Sequence, residues 1–401
     1  MKRDIETAAL KILSANRHTS GRYQYTVPSP DTYPYQWLWD SCFHSIVLSR
    51  FSPDDAKKEL ASLVAKQFDD GMLPHMLYWD RRTSRELNVD RIDWGRKDTS
   101  TITQPPILAF AVWEVHRRAP DMSFLASMYP ALIRYYRYLV ERRDPYDDHL
   151  VSIINPDESG EDNSPRFDAA LGVPEDISIE THFHRRLELV DANRICNFDV
   201  ELCTSRHFWV RDVPFNVFLV ENLRIAGSIA SLLGKRDDER FCTLNAKLVE
   251  EAMRTTMFDD GLFWSTMGPA HEKIRIATWA HFAPMFAGLY TLEEAEALLQ
   301  IHLRNEETFR APFGIRTVSK QESSYRPDGF WRGSVWFAPH WFVYKGLMRY
   351  GFKKEAEDIR AKSTALLERS GFREYFNPET GEGYGAHEFT WGALVLDMME
   401  G

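Results

Sequence analysis

From Asp212 to Leu233, the apolar residues Phe215, Leu219, Leu223, Ala226, Ile229 and Leu233 recur at three- and four-residue steps, and Gly234 follows. That period buries one face of a helix, and the glycine stops it. The same pattern predicts helices over 4–15, 37–48, 105–118, 122–143, 235–257, 291–302, 336–350, 354–369 and 390–399, with a weaker one near 276–289. Ser52-Pro53-Asp54 opens another that runs to about Lys66, with Ser as N-cap and Pro at the first helical position. That makes about a dozen helices.

Strand patterns are scarce. "HLVSIIN" and "FGIRTVS" read as short strands within loops. No β-then-α alternation supports a parallel sheet. No internal repeat or low-complexity linker divides the chain. The expected fold class is all-α, in one domain over residues 1–401. Long loops join some helices at 28–40, 73–106, 155–168, 325–336 and 372–391. Each mixes aromatic rings with carboxylates, amides or arginine. Such loops in a compact domain are often functional. They predict one face carrying one polar-aromatic pocket, with 73–106 as a candidate lid.

Composition narrows the function. The net charge of -10 over 401 residues, without a basic stripe, argues against nucleic acid as a partner. The longest apolar run, "ILAFAVW", is too short to span a bilayer, so no membrane partner is expected. The four cysteines form neither C-x-x-C nor a zinc-type cluster, and the expectation is a reduced, cytoplasmic chain with no metal. Aromatic residues reach 13%, with twelve Trp, many of them in the polar loops. Rings that stack on the apolar faces of sugars, beside groups that bind hydroxyls, fit a small carbohydrate as partner. A homo-oligomer is left open.

The stretch "NPDESGEDNSPRFD" holds Asp157, Glu158, Glu161, Asp162 and Asp168. Their spacing does not match a calcium loop. Ser159-Gly160 and Asn163-Ser164-Pro165 supply tight turns that hold a side chain in place. An inverting glycosidase pairs one protonated carboxyl with one ionised carboxylate ~6.5–9.5 Å away. The second group has candidates in Glu374, Glu379, Glu382 and Glu388. Glu374, between Phe372 and Tyr375-Phe376, fits a pocket best. No metalloprotease, P-loop, dinucleotide or G-x-S-x-G motif is present.

The motifs "YPYQWLWDSCFH", "GMLPH", "TQPP", "ESGEDNSPRFD", "DVPFN", "FWRGSVW" and "REYFNPETGEGYGAHEFTWGALVLD" stand in order along nearly the whole chain. Together they resemble glycoside hydrolase family 63, more closely its shorter bacterial members, the glucosylglycerate and mannosylglycerate hydrolases, and they are more distantly similar to the family 37 trehalases. The resemblance implies an (α/α)6 barrel, hydrolysis of an α-glycosidic bond with inversion, and no cofactor. It implies Asp162 as general acid and Glu374 as general base, 374 − 162 = 212 residues apart. For the sugar site it implies Trp37, Trp39, Asp40, Gln104, Trp331, Arg332 and Trp336. Asp40 and Gln104 are expected on hydroxyls, with Tyr33 and Tyr35 nearer the leaving group. Trp391 is expected to pack in the interior, and Glu161 to be solvated. Phe330 and Phe183 stand where the glycerate-glycoside hydrolases carry Tyr, so the leaving group stays open between glycerate, glycerol and a sugar. A sugar 2-epimerase on the same barrel, or a sugar-binding protein without catalysis, are the rival readings.

Overall fold

The computed structural model describes residues 2–79 and 92–400. The helices are α1 (Lys2–Ala15), α2 (Leu38–Leu48), α3 (Pro53–Val64), α4 (Leu108–Arg118), α5 (Met122–Arg142), α6 (Asp168–Leu171), α7 (Ile179–Ile195) and α8 (Val200–Arg206). They continue with α9 (Val213–Leu232), α10 (Arg236–Ala252), α11 (Ala283–Ala287), α12 (Leu292–Leu298), α13 (Phe337–Tyr350), α14 (Lys353–Ser370) and α15 (Val395–Met398). The chain is mostly helical, as the periodicity predicts. Strands among the described residues are short, in two-stranded pairs and one three-stranded sheet.

Sequence and structure differ at several elements: the 291–302 helix passes into a π turn over Leu299–Leu303, and "HLVSIIN" forms the isolated bridge of Ile153 with Val210 in place of a strand. The 235–257 helix ends in a wider π turn over Met253–Met257, and the 276–289 segment is a 3-10 turn followed by the short α11. The 390–399 helix begins as a 3-10 turn over Thr390–Leu394. The helices α7 and α8 carry no apolar repeat that reveals them. Charged and polar residues surround α7 on most sides, and its start is set by Ser178, whose Oγ accepts from Thr181 N at 3.1 Å.

Packing follows how much of each helix is apolar. All eleven residues of α2 are buried, and fourteen of the twenty in α9. A helix buried all round lies inside the molecule, not on it. Accordingly α2 packs on α4, α4 on α9, α9 on α11, α11 on α13, α13 on the Thr390–Leu394 turn, and that turn on α2. The inner elements therefore close a ring. The amphipathic helices α3, α5, α10 and α14 back α2, α4, α9 and α13, and α1 backs the Thr390–Leu394 turn. One apolar cluster runs through these elements from Ile5 to Met398. A smaller one joins Tyr35, Met76, Trp94, Ile102 and Ile154 to Val190, Cys196, Val200 and Cys203.

One expectation is corrected here. Cys196 and Cys203 form a disulfide across the α7–α8 connection, with Cα atoms 5.6 Å apart, so the cysteines are not all free thiols. Spacing of seven residues does not announce a bridge; the turn between the two helices does. Of the candidate lid at 73–106, residues 80–91 lie outside the described residues. Trp94 is buried there, and Trp79 donates its indole N–H to Gln36 Oε1 at 2.6 Å. No helix among the described residues is long and apolar enough to cross a membrane.

Candidate active site

The N-terminal ends of the inner elements converge on one cavity. Trp37, Trp39 and Asp40 come from the start of α2, Gln104 from the segment before α4, Trp336 from the N-cap of α13, and Trp391 from the Thr390–Leu394 turn. Tyr33, Gly160, Asp162, Phe330, Trp331 and Glu374 complete the wall with Pro28 and Phe389, around about 400 Å³ counted out to its opening. A wider cavity of about 1490 Å³, counted out to its open mouth, adjoins it. The two share Tyr33, Trp37, Asp162, Phe330 and Glu374. Both predicted catalytic carboxylates therefore sit where the inner and outer spaces meet.

The inner walls are aromatic. Trp331 and Trp336 stack with centroids 3.9 Å apart and planes within 5°, and Trp336 continues onto Tyr375 at 5.2 Å. Trp39 and Trp391 meet edge to face at 4.9 Å. The Trp391 indole donates to Asp40 Oδ1 at 2.6 Å. Burial raises the Asp40 carboxyl to about 6, although its imidazole neighbour His44 and the Trp391 bond oppose the rise. A buried carboxylate with one oxygen engaged is suited to accept from hydroxyl groups.

Glu374 lies on the strand Arg373–Phe376, paired with Gly383–His387. Tyr33 donates its hydroxyl to Glu374 Oε1 at 2.6 Å, and Ala386 N donates to Oε2 at 2.8 Å. Burial first, then the Glu374 charge, pushes the Tyr33 phenol up, so it stays a donor. Gly385 makes this possible: its φ is +66°, and a Cβ there would lie 2.3 Å from Glu374 Oε2.

The acidic loop is pinned residue by residue. Asn155 caps the turn Pro156–Ser159 by accepting from Asp157 N at 3.0 Å. Gly160 adopts a φ of +72° and packs so closely on Trp39 that a Cβ would fall 2.3 Å from its ring. Asn163 Oδ1 accepts from Trp331 N at 2.9 Å, which ties the loop to the aromatic wall. Glu158 pairs with Arg143 and accepts from Ile154 N and Thr103 N. Glu161, expected in solvent, is instead buried. It pairs with both Nη atoms of Arg166 at 2.9 and 3.0 Å and accepts from Trp279 at 2.8 Å. Asp162 alone turns a third of its side chain outward, into both cavities, with Arg186 Nη1 3.1 Å from its Oδ2.

Of the predicted site residues, the structure thus brings Tyr33, Trp37, Trp39, Asp40, Gln104, Asp162, Trp331, Trp336 and Glu374 together. Tyr35 and Arg332 do not line either cavity. Tyr35 is buried edge-on against Tyr78, and Arg332 is buried with Nη2 on Asp168 at 2.6 Å and Nη1 on the Glu175 carbonyl at 3.0 Å. Trp391, expected to pack in the interior, lines the cavity; its place at the start of an inner element, like that of Trp336, is the signal that could have found it. Residues Ile179, Glu180, Phe183 and Arg186, on one face of α7, line the outer cavity with Asp157. The sequence offers no period for α7; the resemblance marks Phe183 on it, but the helical face that carries the rest of this wall is not legible.

The mannosylglycerate hydrolase MGH1-like glycoside hydrolase domain matches residues 33–392. The chain is 33% identical to the mannosylglycerate hydrolase of Thermus thermophilus, over 96% of this chain and 98% of that one. It is 27% identical to the glucosylglycerate hydrolase of Mycolicibacterium hassiacum, over 93% and 94%. A crystal structure of the family 63 mannosylglycerate hydrolase from Thermus thermophilus in complex with Tris and D-glycerate superimposes with a TM-score of 0.90 at 32% identity, covering 99% of this chain and 100% of that one. This chain belongs to the mannosylglycerate hydrolase MGH1-like family of glycoside hydrolases, within family 63.

Proposed function

We propose that the protein is an inverting α-glycosidase acting on α-mannosylglycerate or α-glucosylglycerate, with Asp162 as general acid and Glu374 as general base. The single observation that carries this is the position of both carboxylates at the junction of the two cavities. A sugar in the inner cavity and a leaving group in the outer one put the scissile bond between them. Asp162 protonates the glycosidic oxygen as the bond breaks, and Glu374 takes a proton from the water that attacks the opposite face of the anomeric carbon. Tyr33 and Ala386 N fix the orientation of the base. Asp40 and Gln104 take the sugar hydroxyls, and the stacked indoles carry its apolar face. The ring of inner helices with its outer layer supports an (α/α)6 barrel, as one catalytic domain over 1–401.

The outer cavity supports an anionic leaving group. Arg186 is buried there, and its Nε has no acceptor among the described residues. That donor suits the glycerate carboxylate, in keeping with the D-glycerate in the Thermus thermophilus complex. The epimerase reading needs a pair of imidazoles. His75 is the sole imidazole among the described lining residues, and burial lowers it to about 3.

The test is proton NMR of the anomeric signal during hydrolysis of both glycosides. First-formed β-sugar is expected; first-formed α-sugar refutes direct attack by water. Asp162→Asn and Glu374→Gln should each abolish turnover of the glycerate glycosides in a folded protein. An active Asp162→Asn enzyme removes the acid assignment.

A further inference from the structure

A general acid has to hold a proton until the leaving oxygen takes it. Yet Asp162 has a guanidinium 3.1 Å from Oδ2. A cation at that distance favours the ionised form. The same Arg186 Nη1 also contacts Asp157 Oδ1. One guanidinium nitrogen therefore serves two carboxylates that stand five positions apart in one loop. We propose that Asp157 is a positioning residue: it holds Arg186 and offsets its charge, so that Asp162 keeps the proton that the leaving group receives. The proposal rests on the reading of Asp162 as the acid.

The loop's construction supports this division of labour. Within the turn Pro156–Ser159, Glu158 is turned inward and consumed by Arg143 and two backbone N–H groups. Its neighbour Asp157 faces the outer cavity, and its side chain is bonded to Arg186. Arg186 reaches the pair from α7, with its Cζ 5.5 Å from the Phe183 ring centroid. Burial raises the Asp157 carboxyl to about 6, Arg186 opposes the rise and the charge of Asp162 adds to it, so the two carboxyls compete for one proton beside one guanidinium.

The other groups around the pair leave the balance with Asp157. Tyr33 is pushed up by burial and stays neutral. His75 and His182 are both lowered by burial and stay neutral. Glu374 and Glu180 also line the outer cavity, but the ion pairs of Arg186 among the described residues are with Asp157 and Asp162. Asp168 and Arg332 neutralise each other behind them. With one proton between Asp157 and Asp162, the trio with Arg186 carries no net charge. Without the Asp157 charge, the guanidinium is left facing the acid alone.

The experiment compares wild type, Asp157→Asn and Asp157→Glu by kcat/KM against pH on α-mannosylglycerate and on α-mannosyl fluoride. Fluoride departs with little need of a proton, so it reports the rest of the site. In Asp157→Asn the alkaline limb for the glycerate glycoside should fall by roughly one pH unit. The ratio of glycoside to fluoride rates at pH 7.5 should fall about tenfold with it. Asp157→Glu should restore both. Should Asp157→Asn fail to fold, Asp157→Ser removes the same charge. An alkaline limb that stays in place, or equal slowing of both substrates, overturns the proposal. The acid assignment is checked separately with Asp162→Asn. Loss of the glycoside rate far beyond that of the fluoride upholds it, and equal loss or none rejects it whatever Asp157 does.

Discussion

Asp40→Asn should make the protein more stable and disable it. The carboxyl of Asp40 is 3% exposed, and burial lifts it from 3.8 to about 6. The folded value lies above the unfolded one, so the folded protein binds more protons between them. This group's contribution is then most favourable below about pH 4 and declines as pH rises through about 6. The difference of about 2.2 units corresponds to about 3 kcal/mol against folding at pH 7.5. An amide still accepts from the Trp391 indole, but a neutral acceptor is weaker than a carboxylate by about 1 kcal/mol. A net gain of about 2 kcal/mol remains. At about 2.1 cal/mol/K per residue over 401 residues, that raises Tm by about 2–3 °C.

The assay is thermal unfolding of wild type and Asp40→Asn in steps from pH 4 to 8. The gap between them should open between pH 4 and 6 and level off above 7. Turnover should be lost, because an amide nitrogen replaces one of the two acceptor oxygens. A gap that does not change with pH, or a variant less stable than wild type at pH 7.5, would refute a buried carboxylate held ionised for substrate. Stability lost for function in this way is common where binding groups are buried.

Three further outcomes follow from contacts at the site. Tyr33→Phe removes a donor to the charged Glu374, worth about 1.5–3 kcal/mol, so kcat should fall about 10- to 100-fold with little change in KM; a change confined to KM would mean that Tyr33 binds substrate instead. Gly385→Ala drives a Cβ into Glu374 Oε2 and strains a φ of +66°, so kcat should drop and the melt should show a loss of about 1–3 kcal/mol; wild-type kcat would show that the base is not held from this side. Arg166→Ala strands Glu161 in the interior, with an expected loss of about 3–5 kcal/mol in urea unfolding; a loss below about 1 kcal/mol would place Glu161 in contact with water after all.

Most of the helical architecture is legible because inner helices are apolar and outer ones amphipathic, so both announce themselves by period. The helix α7 does not, since it meets the molecule through Arg186, His182 and Asn193 as much as through Leu189 and Val190. At the site, aromatic loop motifs locate the walls, but residue type does not fix the partner of a buried charge. Arg332 looks like a sugar ligand in "FWRGSVW", yet Asp168, 164 residues away, claims it. Trp391 looks like packing and turns out to hold Asp40. Tyr35 follows Tyr33 by two positions in an irregular segment whose turns, not a strand period, decide which ring faces the cavity.

The loop Asn155–Asp168 shows why pairing matters more than the number of acids. Four of its five carboxylates are bonded to an arginine: Glu158 to Arg143, Glu161 to Arg166, Asp168 to Arg332 and Asp157 to Arg186. Buried carboxylates need such partners to remain ionised. The fifth, Asp162, has only a share in the arginine that Asp157 holds, and it is the one opened to both cavities. Fixed pairs on either side hold the loop without leaving a full positive charge against the proposed acid. A rigid frame and an incompletely neutralised carboxyl are the two conditions a proton donor needs. On the proposed role of Asp162, the density of acids in this loop serves to isolate one of them.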